Sequence, residues 1–182
     1  MELGVEAVGQ TLDTFCLECN ALLTGGLPLA EALPLMSAGL VRLLDNPDFV
    51  AATFKAEDDF SKKLLHHCLE TDFRVLAHVH HGPKEGSPHS HGASWAIYGT
   101  ALGATGMKEW QRVNPETEEA AVLRVRERYD LTKGMSRAYG PHTIHSTSHP
   151  AKAWVIRVTG TDLDVVPRYR FKKNRDSILE AA

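Results

Sequence analysis

Ten histidines mark this sequence of 182 residues, and eight of them fall between His78 and His149. Imidazole is the commonest side-chain metal ligand, so clustering of this kind points to a metal site. In Gly86-Ser87-Pro88-His89-Ser90-His91-Gly92 two histidines stand one residue apart. On an extended strand such a pair projects to one face and can hold a single ion. A third ligand must come from elsewhere, and the next dense group is Pro141-His142-Thr143-Ile144-His145-Ser146. His142 and His145 differ by three positions, so on a strand they face opposite ways and only one can join the first pair.

Other residues could serve such a site. His78 and His80 share one strand parity and lead toward the His89/His91 pair. Packing or surface histidines are the default reading, and the functional one makes His80 a pocket residue that hydrogen-bonds substrate or bound oxygen. His149 either orients a ligand imidazole from behind or caps the turn before Pro150. His66, His67 and His81 are expected in solvent. Trp95, Trp110 and Trp154 are expected in the core. Tyr98 is the aromatic to watch, because a phenol near a metal can supply a proton or a hydrogen bond. Arg157 is the candidate grip for a substrate carboxylate, since guanidinium pairs with it bidentately. Arg124, Arg126 and Arg128 lie on one strand face and are expected on a solvated exterior, with an anion-binding interior as the alternative.

The elements that must position these residues fall into two sections. Val5, Val8, Leu12, Phe15, Cys16 and Leu22 recur near helical spacing, and Gly25-Gly26-Leu27-Pro28 ends that helix. A second helix is expected over Leu33 to Leu44 with Pro34 in its first turn, broken by Asp45-Asn46-Pro47. From about residue 60, short β-type runs alternate with turns: Phe73 to Val79, Ser94 to Tyr98, Glu109 to Val113, Ala120 to Asp130 and Ala153 to Val158. Many short strands with Gly and Pro between them indicate an all-β barrel or sandwich. A helical cap over residues 1–55, packed on a barrel over 56–182, is the expected organisation. The tail from Pro167 reads as basic and then weakly helical.

Composition narrows the function classes. Apolar residues make up 43% and charged ones 24%, as in globular proteins. A net charge of −3 without a lysine-rich block argues against nucleic acid as a partner. No apolar run reaches a membrane span, and Met1 to Asp13 lacks a basic signal-peptide start, so the expectation is a cytoplasmic protein with no membrane partner. Cys16 and Cys19 form a lone CxxC and read as small buried residues of one helical face rather than a zinc or redox pair.

Two stretches resemble the cupin motifs. The first cupin motif reads G-x5-H-x-H-x3,4-E-x6-G, and His89, His91 and Gly103 fall on it in register. Ala96 stands at its glutamate position and Pro83 at its opening glycine. The second reads G-x5-P-x-G-x2-H-x3-N. Gly134 and His145 match it, while Gly140, His142 and His149 stand at the Pro, Gly and Asn positions. The resemblance covers roughly residues 60 to 170 and implies a double-stranded β-helix, the cupin jelly roll, with His89, His91 and His145 as metal ligands. Without the glutamate, three neutral imidazoles leave the metal its charge and open positions, which favours a small anionic chelating substrate such as a thiolate or enolate.

Within the cupins, FRVLAHVHHGPKEGSPHSH and His145-Ser-Thr-Ser-His149-Pro150 are similar to the thiol dioxygenases of the cysteine dioxygenase group. That likeness implies Fe(II), dioxygen and a small-molecule substrate, with Zn, Ni or Mn as alternative metals. The group's Ser-x-His-x-Tyr series is replaced by Val155, Arg157 and Thr159, and its carboxylate-binding arginine by Lys63. The chain also resembles bacterial cupins that carry HDHG-x-SWA-IYG-type sequences. An iron-dependent dioxygenase is therefore the leading expectation. The alternatives are a non-oxidative Zn or Ni isomerase or hydrolase, and a sensing module for metal or small molecules. Pairing as a homodimer is expected by analogy alone.

Overall fold

Three helices open the described chain. The structure is a computed structural model and describes residues 10–118, 120–167, 170–171 and 178–179. Helix α1, Leu12–Thr24, starts at Thr11, whose side chain accepts from the Thr14 N–H while the Thr14 hydroxyl answers the Thr11 N–H. Val5 and Val8 lie outside the described residues. Helix α2, Leu29–Leu44, begins a turn earlier than expected. The Pro28 carbonyl accepts from Glu31 and Ala32 and closes the first turn before Pro34 is reached. Pro34 thus sits inside the helix, where its missing N–H frees a carbonyl on exposed Ala30, which water can serve. Asn46 then caps a third helix, α3, Pro47–Thr53, by accepting from the Asp48 and Phe49 N–H groups. The expected break at Asp45-Asn46-Pro47 both ends α2 and starts α3.

The strands follow in chain order: β1 Lys62–His67, β2 Arg74–His80, β3 Lys84–Glu85, β4 Ala96–Leu102, β5 Ala104–Arg112, β6 Leu123–Thr132, β7 Ser136–Tyr139, β8 Ile144–His149, β9 Ala153–Thr159 and β10 Ile178–Leu179. They build two five-stranded sheets, ordered β1-β2-β9-β4-β7 and β10-β6-β5-β8-β3. The antiparallel ribbon of β4–β5 with β8–β9 crosses from one sheet to the other, since β4 pairs with β9 and β5 with β8. This winding of a paired ribbon is the double-stranded β-helix. Gly103 is the corner between β4 and β5: its φ is +76°, and a Cβ there would lie 2.5 Å from the Lys152 carbonyl oxygen on the facing corner. The tail is not helical at residues 178–179, which instead pair in parallel with Leu123 and Arg124 on the open edge of β6.

Side-chain alternation gives the first sheet two different faces. Val75, Ala77, Val79, Ile97, Ile156 and Val158 point outward and form one core with Phe15, Cys16, Met36, Leu40, Leu43 and Leu44 of the helices. Cys16 and Cys19 are buried in that core, and burial pushes the Cys16 thiol up to about 12. Trp95 and Trp110 are buried as expected, while Trp154 stacks on Phe54 at 5.2 Å on the outer side. The inward face carries a second, smaller cluster around Tyr98, Met107, Leu131, Tyr139 and Val155. Arg124, Arg126 and Arg128 are exposed, in line with a solvated exterior. His81 is exposed too, but His66 and His67 are half-buried, His66 tilted against Phe73 and His67 bonded to Asp72 at 2.7 Å. No described helix is long and apolar enough to cross a membrane.

Helix α2 needs a flat spot on β4. A Cβ at Gly99 would lie 2.6 Å from Leu44 Cδ1 and 2.8 Å from Leu40 Cδ2. Gly99→Val should therefore lower stability by roughly 1–3 kcal/mol through overpacking. Because the clash is on the outer face, metal content measured on the folded fraction should not change. Denaturant unfolding and elemental analysis check the two halves separately.

Candidate metal centre

Two distant segments are joined by their main chains at the site. The His89 N–H donates to the His145 carbonyl and the His145 N–H to the His89 carbonyl, both at 2.9 Å. This is a hydrogen-bonded antiparallel pair, so both side chains rise from the same face. His89 lies on this isolated bridge rather than in a longer strand, and His91 stands in the loop that follows. That loop turns at Gly92, whose φ is +58°, and the His91 carbonyl accepts from the Ser94 N–H at 3.0 Å.

The result is a set of three imidazoles around one point. Ligand atoms of His89, His91 and His145 all lie within 4.8 Å of one another. Their ring centroids are 4.7–5.0 Å apart with interplanar angles of 56–70°, a propeller rather than a stack. His89 Nδ1 meets the Ser87 carbonyl at 3.0 Å and His145 Nδ1 meets that of Thr143 at 3.2 Å. A carbonyl can only accept, so each Nδ1 carries the proton and each Nε2 presents its lone pair. Burial chiefly, with His89 beside it, pulls the His145 pKa down to about 3, which keeps this ring neutral and ready to ligate. The donor set therefore fits a first-row divalent metal with open coordination positions.

His142 takes no part. It is exposed, and it holds a positive φ of 61° in the turn before β8, where its N–H donates to the Gly92 carbonyl at 2.7 Å. A left-handed turn is required there, which glycine satisfies most readily and histidine tolerates. The choice left open between His142 and His145 is thus settled by backbone geometry.

Tyr98, on β4, places its hydroxyl 3.3 Å from Nε2 of both His91 and His145, beside whatever they hold. Arg157 is its cross-strand partner on β9, so the two side chains share the inward face. A cavity of about 520 Å³ opens over His89 and Tyr98. Lys84, Arg157 and Arg170 line it together with His78, His80 and His149, and among the described residues no carboxylate does. His78 Nε2 and Arg157 Nε are buried with no hydrogen-bond partner among the described residues. His80 and His149 stack face to face, with centroids 3.5 Å apart. Burial first, and then neighbouring cationic and imidazole groups, pull His80 down to about 4 and hold His78 well below its ordinary value. The imidazoles are neutral donors and acceptors, and the positive charge comes from Lys84, Arg157 and Arg170. His149 is buried against Thr105 at 3.5 Å and lies beside His80 rather than behind a ligand ring.

Sequence reading missed two contributors. Arg170 reaches the cavity because the C-terminal segment is pinned across its mouth, where the Phe171 N–H donates to the Pro88 carbonyl at 2.9 Å. Glu109 is buried at an inward position of β5, directly cross-strand from His145. Its signal was present in the alternation Thr105, Met107, Glu109, which puts a carboxylate on the barrel-facing parity.

No protein-family model matches the chain, and no curated protein matches it. Solved structures similar to it include KdgF from Halomonas sp., at 17% identity and a TM-score of 0.44, covering 60% of this chain and 87% of that one. A protein with a double-stranded β-helix domain from Klebsiella pneumoniae is 13% identical, with a TM-score of 0.43, over 68% of this chain and 95% of that one. A cupin superfamily protein from Desulfitobacterium hafniense is 11% identical, with a TM-score of 0.44, over 62% and 88%.

Two outcomes follow from this geometry. His145→Ala should abolish stoichiometric metal binding while His142→Ala leaves it intact, as elemental analysis of the purified variants will read. The second concerns acid. A folded pKa of about 3 for His145 lies below the unfolded value, so the unfolded state takes the proton first as pH falls. The stability this ring confers is complete above about pH 6.5 and is lost toward lower pH, at a slope on the order of 1 kcal/mol per unit. His80 acts in the same direction. The urea midpoint of metal-free protein should fall steadily between about pH 7 and about pH 5, and the double variant His80→Asn/His145→Asn should flatten that fall.

Proposed function

We propose that the chain is a three-histidine non-heme iron dioxygenase acting on a small anionic substrate that chelates the metal, of the thiol or enolate type. The observation that carries this reading is the pairing of an all-imidazole ligand set with a cavity whose charged wall residues, among the described residues, are all cationic. Bound at His89, His91 and His145, iron would supply open coordination positions and the electrons for dioxygen chemistry.

The chain's own residues bind and orient. Arg157 and His78 carry buried donor nitrogens without partners among the described residues, and a substrate carboxylate gives both an acceptor. Lys84 and Arg170 add positive potential at the mouth and draw anions in. Tyr98 stands where a substrate heteroatom on the metal can take a hydrogen bond from its phenol. His80, neutral and stacked on His149, offers one further hydrogen bond from the wall. The pinned 170–171 segment narrows the opening and limits water in the cavity.

Anaerobic loading with Fe(II), elemental analysis and oxygen uptake with a panel of thiols and diketones test the proposal. Stoichiometric iron with substrate-triggered uptake is the expected result. Tightly held zinc or nickel without uptake would sink it and leave a non-oxidative enzyme or a sensing module. Replacing Arg157 by Met should raise KM for the active anion by roughly 10- to 100-fold, the worth of a charge-assisted hydrogen bond, with a smaller effect on kcat.

A further inference from the structure

From Tyr98, on the wall of the substrate cavity, a column of phenols runs behind the metal centre into the barrel interior. Tyr98 touches the site through its hydroxyl, 3.3 Å from Nε2 of His91 and of His145. Tyr139 on β7 lays its ring on that of His145, with centroids 4.6 Å apart and planes 19° from parallel, and meets Tyr98 edge-on at 5.8 Å. The Tyr139 and Tyr129 hydroxyl oxygens are 2.5 Å apart. Tyr129 in turn donates to Glu109 Oε1 at 2.9 Å. With its one proton committed there, Tyr129 accepts from Tyr139, so the donors run outward toward the carboxylate. The column ends at Arg137, which pairs with Glu109 at 3.1 Å, lies 5.2 Å from the Tyr129 ring, and is 44% exposed. A barrel packed for stability alone would carry phenylalanines here, without a buried carboxylate and two hydroxyls to satisfy.

We infer that Tyr98, Tyr139 and Tyr129 are an electron relay that draws an oxidising hole away from the metal ligands to the barrel rim, with Glu109 as the proton acceptor. The inference rests on the proposed iron site. It serves the event in which Fe(II) at the loaded site would give one electron to peroxide with no organic substrate present, passing to Fe(III) and releasing one hydroxide. The hydroxyl-radical equivalent so formed takes one electron from the adjoining phenol and leaves as hydroxide. An electron passes inward from Tyr129 through Tyr139, and the Tyr129 O–H proton moves to Glu109 Oε1, leaving a neutral phenoxyl radical on Tyr129. A solvent thiol or ascorbate returns one electron, and Glu109 returns the proton. The net change is one hydroxyl radical reduced and one external reductant oxidised, with the imidazole ligands spared.

The test is a hydrogen peroxide challenge of Fe(II)-loaded protein, wild type beside Tyr129→Phe and Glu109→Gln, without organic substrate. Rapid-freeze electron paramagnetic resonance reads the phenoxyl radical, and peptide mass spectrometry reads oxidation at His89, His91 and His145. Wild type should give a radical that is lost in Tyr129→Phe, with ligand oxidation rising several-fold at equal iron content. Glu109→Gln, which keeps a hydrogen-bond acceptor but cannot take the proton, should lower the radical yield, and it decides the matter if Tyr129→Phe does not fold. Equal ligand oxidation in wild type and variants, or a radical confined to Tyr98, would overturn the relay and leave the iron reading intact. A chain that takes up no iron before the challenge overturns both.

Discussion

A barrel that must fill its own interior with hydrocarbon has no room for a cluster of polar side chains. Here the sandwich between helices and sheet removes that demand. Phe15, Met36, Leu40 and Leu43 pack on the outward face of β2, β9 and β4, and the largest apolar cluster forms there. Gly99 lets α2 approach β4 closely enough to seal it. Since burial of apolar area is the dominant favourable term in folding, a core outside the barrel leaves the inside free to hold imidazoles, phenols and a guanidinium. Each of these costs stability unless it is partnered. The helical section is thus a condition for the site as well as a cover on it.

Placement of the ligands then falls to the backbone. The reciprocal N–H to carbonyl bonds of His89 and His145 fix two imidazoles before any side-chain rotamer is chosen, and carbonyls of Ser87 and Thr143 fix which nitrogen each presents. Burial keeps the His145 ring neutral and ready to ligate. Lys84, Arg157 and Arg170 lie within the same cavity wall, and no described residue of that wall is an acid. Lys84 and Arg170 stand at the solvent side of that wall, while Arg157 lies half-buried with its Nε without a partner among the described residues.

Much of this was legible in the sequence. The His89/His91 pair, the later histidine group and the corner at Gly103 were visible as residue type and spacing, and strand runs such as Ala153–Val158 were visible as alternation. What escaped has physical causes. The first turn of α2 is closed by a carbonyl of Pro28, which no side-chain pattern announces. The third helix hid behind a proline, because Asn46-Pro47 breaks one helix and caps the next with the same atoms. His142 and His145 could not be separated by composition, since the deciding quantity is a positive φ in a turn. Arg170 and Phe171 lie far along the chain from Lys84 and His89 and are held at the cavity by the backbone bond from the Phe171 N–H to Pro88.

Ala96 shows how one small side chain shapes the interior. It stands where the cupin motif has glutamate, and its cross-strand partner on β7 is Tyr139. Both are buried on the inward face, so the methyl of Ala96 leaves the space that a longer acidic side chain at that position would occupy. The Tyr139 ring lies against His145 on that side of the barrel. A carboxylate near the metal would neutralise charge and bind it; a phenol face does neither, but it is oxidisable and it packs. A glutamate at 96 would share the inward face with Tyr139, its cross-strand partner, and so would put a carboxylate beside the ring that packs on His145 and joins the candidate centre to Tyr129 and Glu109.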